Sequence, residues 1–207
     1  MIGIRYGNTN TFFIPGRTGG LLVDTDWAGT LPLFFRAIKA AGVDVKDISF
    51  LLATHYHPDH MGLAGELMGL GVKLLLMDVQ KDHVHFADAI FRREKGLRFT
   101  PVKEEKAQVL RCQDSRAFLR SMGIDGEILH TPSHSPDSVS LCLDAGDCIV
   151  GDLAPLGFLP ACHHEEYDAL RKDWAALSRL RPRRIWYAHA NETTMTEEDW
   201  HAALETL

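Results

Sequence analysis

The sequence predicts a single domain of mixed α and β structure over residues 1–207. Three observations support this: short β-rich segments recur along the chain, segments with helical patterning separate them, and the length suits one domain. A chain of this length can bury a substantial core and needs no disulfides to stay folded.

Strand signals come first, at residues 2–6, 11–14 and 20–23, each bounded by turn residues. A helical pattern over 31–41 is closed by Gly42. Residues 48–53 form a continuous apolar run of strand length, which is typical of a strand buried on both faces.

The second half alternates in the same way, and the two halves resemble each other only weakly. We expect helices over 61–70, 114–122 and 165–180, a polar helix or mobile segment over 79–95, and a last helix that Thr196 caps before an acidic first turn. Strands are expected at 72–77, 127–129 and 185–188, with a hairpin at 139–143 and 148–150.

The charge balance limits the classes of molecule that the protein is expected to bind. A formal net charge of −6 comes from 22 Lys and Arg against 28 Asp and Glu, which argues against a nucleic-acid surface. Arg181, Arg183 and Arg184 do cluster, but between a helix and a strand, where a solvated turn is expected. The apolar runs are too short and too interrupted to cross a bilayer. We therefore predict no nucleic-acid partner and no membrane partner, and leave a homo-oligomer open.

The cysteine pattern predicts a reducing environment. Cys112, Cys142, Cys148 and Cys162 form no CxxC pair, and the first residues show no signal-peptide pattern. We therefore expect reduced thiols in a cytoplasmic protein.

A dense group of possible metal ligands follows the buried strand at 48–53. His55, His57, Asp59 and His60 fall within six residues. In an extended segment, positions i and i+2 point to the same face, so His55 and His57 can bind one ion together. The turn at Pro58 then directs Asp59 and His60 towards a neighbouring position. Imidazole and carboxylate ligands suit zinc, and also manganese or iron.

The motif His55-x-His57-x-Asp59-His60 resembles the signature of the metallo-β-lactamase superfamily. Later segments are similar to its other motifs in the same order. Residues 130–138 resemble the TPGH segment, with Ser133 in place of glycine, and Gly151-Asp152 resembles the bridging aspartate. Residues 187–190 resemble the terminal PGHG segment, with Ala188 and Ala190 in place of proline and glycine. Asp24 resembles the early strand-end aspartate. The resemblance spans residues of about 10 to 195.

This resemblance implies a fold and a ligand set. The fold is an α+β, four-layer αββα sandwich of two mixed β-sheets flanked by helices, with the metal site at one edge. One ion would take His55, His57 and His134, the second Asp59, His60 and His189, with Asp152 bridging the two. Asp24 and His130 would support these ligands without binding an ion themselves. A glycine is not needed at Ser133, Ala188 and Ala190 if the φ angle is negative there.

The implied activity is metal-dependent hydrolysis with two divalent ions, expected to be Zn²⁺, that activate a bridging hydroxide against an ester-like bond in a small metabolite, and the substrate is therefore a small molecule. Thioesters, lactones and other carboxylic esters fit, and the glyoxalase II-like and lactonase-like branches stay unresolved. Asp59 would orient the nucleophile or relay its proton.

Alternatives remain within and outside hydrolases. The absent signal-peptide pattern and Asp152 disfavour a secreted β-lactamase, and the acidic C-terminal helix disfavours a glutathione thioester substrate. A phosphodiesterase is disfavoured because neither basic substrate-binding residues nor an inserted domain is visible. A di-iron centre that reduces oxygen or nitric oxide is disfavoured by His57, where glutamate is common. A metal-binding sensor without catalysis is the remaining alternative.

Other residues have less specific interpretations. Tyr56 between two ligands is expected in the core, whereas His83, His85 and His201 are expected at the surface. His163 and His164 are expected in an exposed loop, with a place at the entrance to the site as the alternative. Two apolar sets could wall a substrate pocket or belong to the core: Phe86, Ile90, Phe91 and Phe99, and, within 153–159, Leu153, Leu156, Phe158 and Leu159.

Overall fold

The computed structural model describes residues 1–161 and 167–205, and the side chains of 159–161 and 204 are left aside. Cys162, His163, His164 and the predicted start of the helix at Glu165 lie outside the described residues. No helix in the described part of the chain is long and apolar enough to span a membrane.

Eleven strands and seven α-helices are present in the described ranges, with short 3₁₀ turns between them. The strands are β1 (Ile2–Arg5), β2 (Asn10–Ile14), β3 (Gly20–Val23), β4 (Ile48–Leu52), β5 (Lys73–Met77), β6 (Gln108–Leu110), β7 (Gly126–His130), β8 (Val139–Leu143), β9 (Asp147–Gly151), β10 (Arg184–Tyr187) and β11 (Thr193–Thr194). The helices are α1 (Leu31–Ala40), α2 (Pro58–Met61), α3 (Ala64–Gly69), α4 (Asp88–Arg93), α5 (Ser115–Met122), α6 (Asp168–Ser178) and α7 (Glu197–Leu204).

The strands form two mixed sheets. The first has the order β1-β2-β3-β4-β5-β6, and its pairs from β3 to β6 are parallel. The second has the order β11-β10-β9-β8-β7, in which only β9 and β10 are parallel. Helices cover the outer face of each sheet, so the four-layer αββα prediction is confirmed.

Strand β3 shows why these layers form. Leu21 and Val23 point into the apolar layer between the sheets, where they meet Ile128 and Ile149 of the second sheet. Leu22 points to the opposite face, into the layer under α1 and α3. Because both faces of β3 are buried, its sequence is apolar at every position.

A third apolar layer lies outside the second sheet, where Trp174 of α6 and Trp200 of α7 pack against β9 and β10. Thr196 caps α7 by accepting the backbone N–H of Asp199, as the sequence predicts.

Several sequence expectations need correction. The helix predicted over 61–70 is divided into α2 and α3, and the segment at 79–95 contains a 3₁₀ turn at Asp78–His83 and then α4. Strands β6 and β11 were not predicted, because both are very short, largely exposed edge strands without an apolar run.

The expectation of reduced thiols is wrong for two cysteines. Cys142 and Cys148 face each other across the antiparallel pair β8–β9 and form a disulfide, with 4.0 Å between their Cα atoms. The two cysteines are six residues apart in the sequence, so they do not form a CxxC motif. The register of the hairpin nevertheless makes them direct neighbours across the two strands. Cys112 is a partly buried thiol.

Candidate metal centre

Strand ends bring the site residues to one edge of the sandwich. His55 follows β4, His134 follows β7, Asp152 follows β9 and His189 follows β10. The two sheets are tied together here by backbone hydrogen bonds, including Val139 N–H to the Thr54 carbonyl at 2.8 Å. Parallel strands place their carboxyl ends at the same edge, which is where a site in such a fold is expected.

The residues before Asp152 approach the first sheet closely. Gly151 has a φ of +58°, and a Cβ at this position would lie 2.6 Å from the Thr54 hydroxyl oxygen. A side chain here would therefore push Asp152 away from His55.

Seven side chains of the described residues converge at this edge. They form three groups in which the possible ligand atoms all lie within 4.8 Å of one another: His55 with His57 and His134, His55 with His60 and Asp152, and Asp59 with His60 and His189. We call His55, His57, Asp59 and His60 the local cluster, and His134, Asp152 and His189 the remote group.

Asp152 lies between the two ends of the site. Its Oδ2 is 3.8 Å from His55 Nε2 and 3.5 Å from His134 Nε2. Its Oδ1 is 3.5 Å from His60 Nε2 and 3.4 Å from His189 Nε2. Each carboxylate oxygen therefore faces a different pair of histidines.

The site contains buried polar atoms that lack hydrogen-bond partners. Among the described residues these include His55 Nε2, His60 Nε2 and Asp152 Oδ1, all of which point into the cluster. An unpaired buried polar atom costs free energy, and a divalent cation is the partner that suits imidazole nitrogen and carboxylate oxygen together. The residues present therefore fit a metal centre.

The pKa shifts show strong electrostatic coupling. Burial lowers the pKa of His55, and the neighbouring His60 lowers it further. Burial would also lower the pKa of His60, but the Asp24 and Asp152 carboxylates raise it to about 10. Burial would raise the pKa of Asp152, but the adjacent His60 imidazole, with its charge, holds it well below its usual range. These shifts keep Asp152 ionised and His55 uncharged, which are the forms in which a carboxylate and an imidazole bind a cation.

Asp24 fixes the start of the local cluster. This carboxylate, fully buried, accepts the Thr54 backbone N–H at 2.6 Å and the Thr54 hydroxyl at 2.9 Å. It also accepts a hydrogen bond from His60 Nδ1 at 3.1 Å, which turns His60 Nε2 towards the site. Asp24 has a φ of +58°, a left-handed conformation that Asp tolerates better than most residues.

Two buried residues that sequence reasoning missed tie the local cluster to the loop that carries His134. Asp137 accepts the Tyr56 backbone N–H at 2.7 Å and a hydrogen bond from the Ser135 hydroxyl. Gln80 donates its side-chain amide to the carbonyl oxygens of Ala53, Thr54 and Asp137. Asp137 lies in the 130–138 segment but has no predicted role there, and Gln80 belongs to no motif, because the contacts of both arise only when distant segments pack together.

The loop that carries His134 is also held by contacts with α6 and with the end of β7. Asp173 of α6, also missed, accepts the Ser133 backbone N–H at 2.8 Å, and His130 Nε2 contacts the Pro136 carbonyl at 2.8 Å. His130 therefore supports the loop by a backbone contact. Only Asp24 and Arg181 among described non-glycine residues have positive φ, so Ser133, Ala188 and Ala190 need no glycine.

The remaining predicted residues are placed as follows. Tyr56 is buried in the core, as expected. His85 and His201 are exposed, and His83 is partly exposed. Phe91 and Leu153 are buried in the core, Ile90, Phe99 and Leu156 are partly buried, and Phe86 and Phe158 are exposed. Leu159 is among the side chains left aside.

Sequence comparison agrees with this geometry. Residues 4–189 match the family model described as "Metallo-beta-lactamase superfamily". The chain is 24% identical over 188 residues to "Beta-lactamase-like protein 2 homolog" of Drosophila melanogaster, covering 88% of this chain and 59% of that protein. It is 26% identical over 154 residues to "Lactamase-like protein notP" of Aspergillus sp. (strain MF297-2), covering 69% of this chain and 39% of that one.

Solved structures show the same fold. A metallo-beta-lactamase family protein of Thermus thermophilus, TTHA1429, has a TM-score of 0.69 at 20% identity, over 94% of this chain and 72% of that one. TTHA1623 in a di-iron-bound form has a TM-score of 0.68 at 22% identity, over 100% and 98% of the two chains. The chain therefore belongs to the metallo-beta-lactamase superfamily.

Proposed function

We propose that the protein is a binuclear hydrolase that cleaves an ester-like bond in a small metabolite. One ion would be held by His55, His57 and His134, and the other by Asp59, His60 and His189. The observation that supports a pair of ions is the position of Asp152, whose two oxygens face different pairs of histidines at 3.4–3.8 Å.

Two bound divalent ions would supply a shared water of lowered pKa and would polarise the oxygen that gains charge. The protein's own residues do the positioning. Asp59 Oδ2 lies 3.1 Å from His189 Nε2, and the Asp59 carbonyl accepts the buried Thr9 hydroxyl at 2.7 Å. Because its backbone is fixed, the Asp59 carboxylate can orient a nucleophile and accept its proton.

Carboxylic esters, thioesters and lactones are the proposed substrates because no lysine or arginine of the described residues pairs with the carboxylates of the site. In the described part of the chain, Asp59 and Asp152 form ion pairs only with histidines. A phosphodiesterase would need basic groups to bind its charged substrate.

The proposed metal is zinc, with manganese and iron as alternatives. The mixed histidine and aspartate set suits all three ions. The di-iron-bound form of TTHA1623 is a reason to include iron, and with it a test for oxygen or nitric oxide reduction, in the first assays.

The experiment is a metal analysis of purified protein followed by a substrate panel of thioesters, lactones, carboxylic esters, phosphodiesters and β-lactams. We expect two ions per chain and turnover in the ester classes. Two tightly bound ions without turnover of any ester would favour the sensor, and turnover of phosphodiesters or β-lactams alone would contradict the proposed substrate class.

Asp59→Asn tests the mechanism. We expect this variant to fold and to lose at least about a hundredfold in kcat, in line with loss of a general base. Asp125→Asn is the matched control, since Asp125 is an exposed aspartate whose ion pair is with Arg120. Wild-type rates for Asp59→Asn would contradict the assigned role.

Asp152→Ala tests the bridge. We expect the variant to bind at least one ion less tightly, because it removes an oxygen from both ends of the site. Two ions retained at wild-type affinity, measured by competition with a chelator, would rule out bridging by Asp152.

A further inference from the structure

An exposed aromatic ring lies at the rim of the metal centre. Phe86 is 53% exposed, although Val84 and Ala87 on either side of it are buried in the core. Its backbone N–H donates to the His83 carbonyl at 2.8 Å. The buried neighbours and this hydrogen bond fix the backbone, so the exposed position of the ring is set by the fold.

The Phe86 ring faces the end of the site where the first ion is proposed. Its centroid is 5.4 Å from the imidazole of His57, and the two rings are tilted by 38°. His57 in turn lies 5.0 Å from His134, ring centre to ring centre. A molecule bound at this end of the site would therefore contact the phenyl ring.

The polar groups near Phe86 pair with one another. His85 Nδ1 is 3.3 Å from Asp88 Oδ2, and Arg92 donates to the same oxygen at 3.1 Å. His85 Nε2 is also 3.9 Å from Glu104. Among the described residues beside His57, the phenyl ring is therefore an exposed apolar surface that a ligand can contact.

The opposite end of the site is polar. The Asn8 carbonyl oxygen is 3.2 Å from His189 Nδ1, and the exposed Asn8 side-chain amide is 3.4 Å from the same nitrogen. A substrate would thus meet a hydrocarbon surface beside His57 and an amide beside His189. This asymmetry favours a molecule with one apolar and one polar end.

We infer that Phe86 binds the apolar acyl group of the substrate, which identifies the substrate class as neutral esters, thioesters or lactones with a hydrocarbon acyl chain. The inference rests on the proposed hydrolase function. Each methylene that leaves water for the ring favours binding by about threefold until the ring is covered.

The test compares neutral thioesters of N-acetylcysteamine that carry acetyl, butyryl, hexanoyl and octanoyl groups, with release of the thiol as the signal. We expect wild-type kcat/KM to rise with chain length. Phe86→Ala should lower kcat/KM for the octanoyl thioester about tenfold and leave the acetyl rate within about twofold. Phe86→Leu should restore most of the preference.

The matched control is Leu70→Ala. Leu70 is 51% exposed and lies just before the start of β5, at the opposite end of that strand from the 3₁₀ turn that leads to Phe86. The Leu70→Ala variant also removes an exposed apolar side chain, and it should leave kcat/KM unchanged for every thioester of the series.

A binding measurement separates the two proposals. We expect octanohydroxamate to bind the zinc-loaded protein at least about tenfold more tightly than acetohydroxamate by calorimetry, and Phe86→Ala to remove this difference. Turnover without chain-length preference, or a preference that survives in Phe86→Ala, overturns the acyl-binding role and leaves the hydrolase proposal standing. No turnover of any thioester, lactone or carboxylic ester of the panel, together with a hydroxamate difference that depends on Phe86, contradicts the proposed hydrolysis and keeps the acyl-binding role. No turnover of any of these esters and no hydroxamate difference overturn both proposals.

Discussion

The local cluster and the remote group reach the same site by different physical routes. His55 and His60 are buried, and their loop is hydrogen-bonded by Asp24, Gln80 and Asp137. His134 and His189 come from separate loops, and their side chains remain 29% and 32% exposed. We infer that the local cluster is a preformed half-site. The remote group completes the site with ligands that are held less rigidly.

This difference has an energetic basis. Buried hydrogen bonds that hold a ligand in one orientation prevent it from losing conformational entropy when an ion binds. An exposed ligand on a loop must be ordered at that moment, so its contribution is smaller. Replacing supports of the local cluster should therefore weaken ion binding more than replacing supports of the remote group.

The largest effect is expected from Asp24→Asn. Asparagine keeps the shape and tolerates the positive φ, but it removes the charge that orients His60 and weakens the hydrogen bonds from Thr54. We expect the affinity for the second ion, which His60 is proposed to bind, to fall about 10–100-fold, measured by competition with a fluorescent chelator. Asp26→Asn is the control, since Asp26 contacts backbone N–H groups of Asn8 and Trp27 rather than a histidine. Equal affinity in both variants would contradict a preformed half-site.

Gln80→Leu should have the next largest effect. This change leaves the carbonyl oxygens of Ala53 and Asp137 without the amide that joins them. Loss of these buried hydrogen bonds should lower the free energy of unfolding by about 2–4 kcal/mol and Tm by about 5–10 °C.

Affinity for the first ion should also fall about tenfold in Gln80→Leu, since the link to the loop of His134 is lost. The control is Gln108→Leu on the exposed edge strand β6, and calorimetric scans measure both variants. An unchanged Tm in Gln80→Leu would show that the two loops do not depend on this link.

The same contrast explains what sequence reasoning can achieve. The local cluster is visible as a motif because its four side chains are neighbours in the chain, and the strands around it are visible because burial on both faces makes them apolar. The supports of the cluster are not visible in this way. Gln80 and Asp173 are isolated polar residues in ordinary segments, and only tertiary packing places them against the loops of the site.

A third expectation concerns Asp173→Asn, which changes a support of the remote group. Burial raises the pKa of Asp173, so its folded-state pKa lies above its unfolded value. A raised pKa means that stability is greatest when the group is protonated and is lost as the pH rises through the folded-state pKa. Ionised Asp173 therefore costs stability at neutral pH, and asparagine should remove that cost.

We expect Asp173→Asn to be at least as stable as the wild type at neutral pH, with the difference shrinking in acid. Its affinity for the first ion should fall only about threefold, because the Ser133 N–H keeps an acceptor but loses a charged one. Asp168→Asn, an exposed change on the same helix, is the control. A loss of affinity as large as that of Asp24→Asn would remove the distinction between the two regions.

The smallest effect should come from Asn8→Ala at the exposed end of the remote group. The Asn8 side-chain amide is 3.4 Å from His189 Nδ1, but the Asn8 backbone carbonyl is nearer at 3.2 Å and is kept in the variant. Since the carbonyl alone can accept the Nδ1–H proton, His189 should keep its orientation and ion affinity should stay within about twofold. Asn191→Ala, an exposed asparagine two residues beyond His189, gives the background for a surface change. A tenfold loss in Asn8→Ala alone would mean that the side chain orients His189 and that the remote group has a support as specific as Asp24.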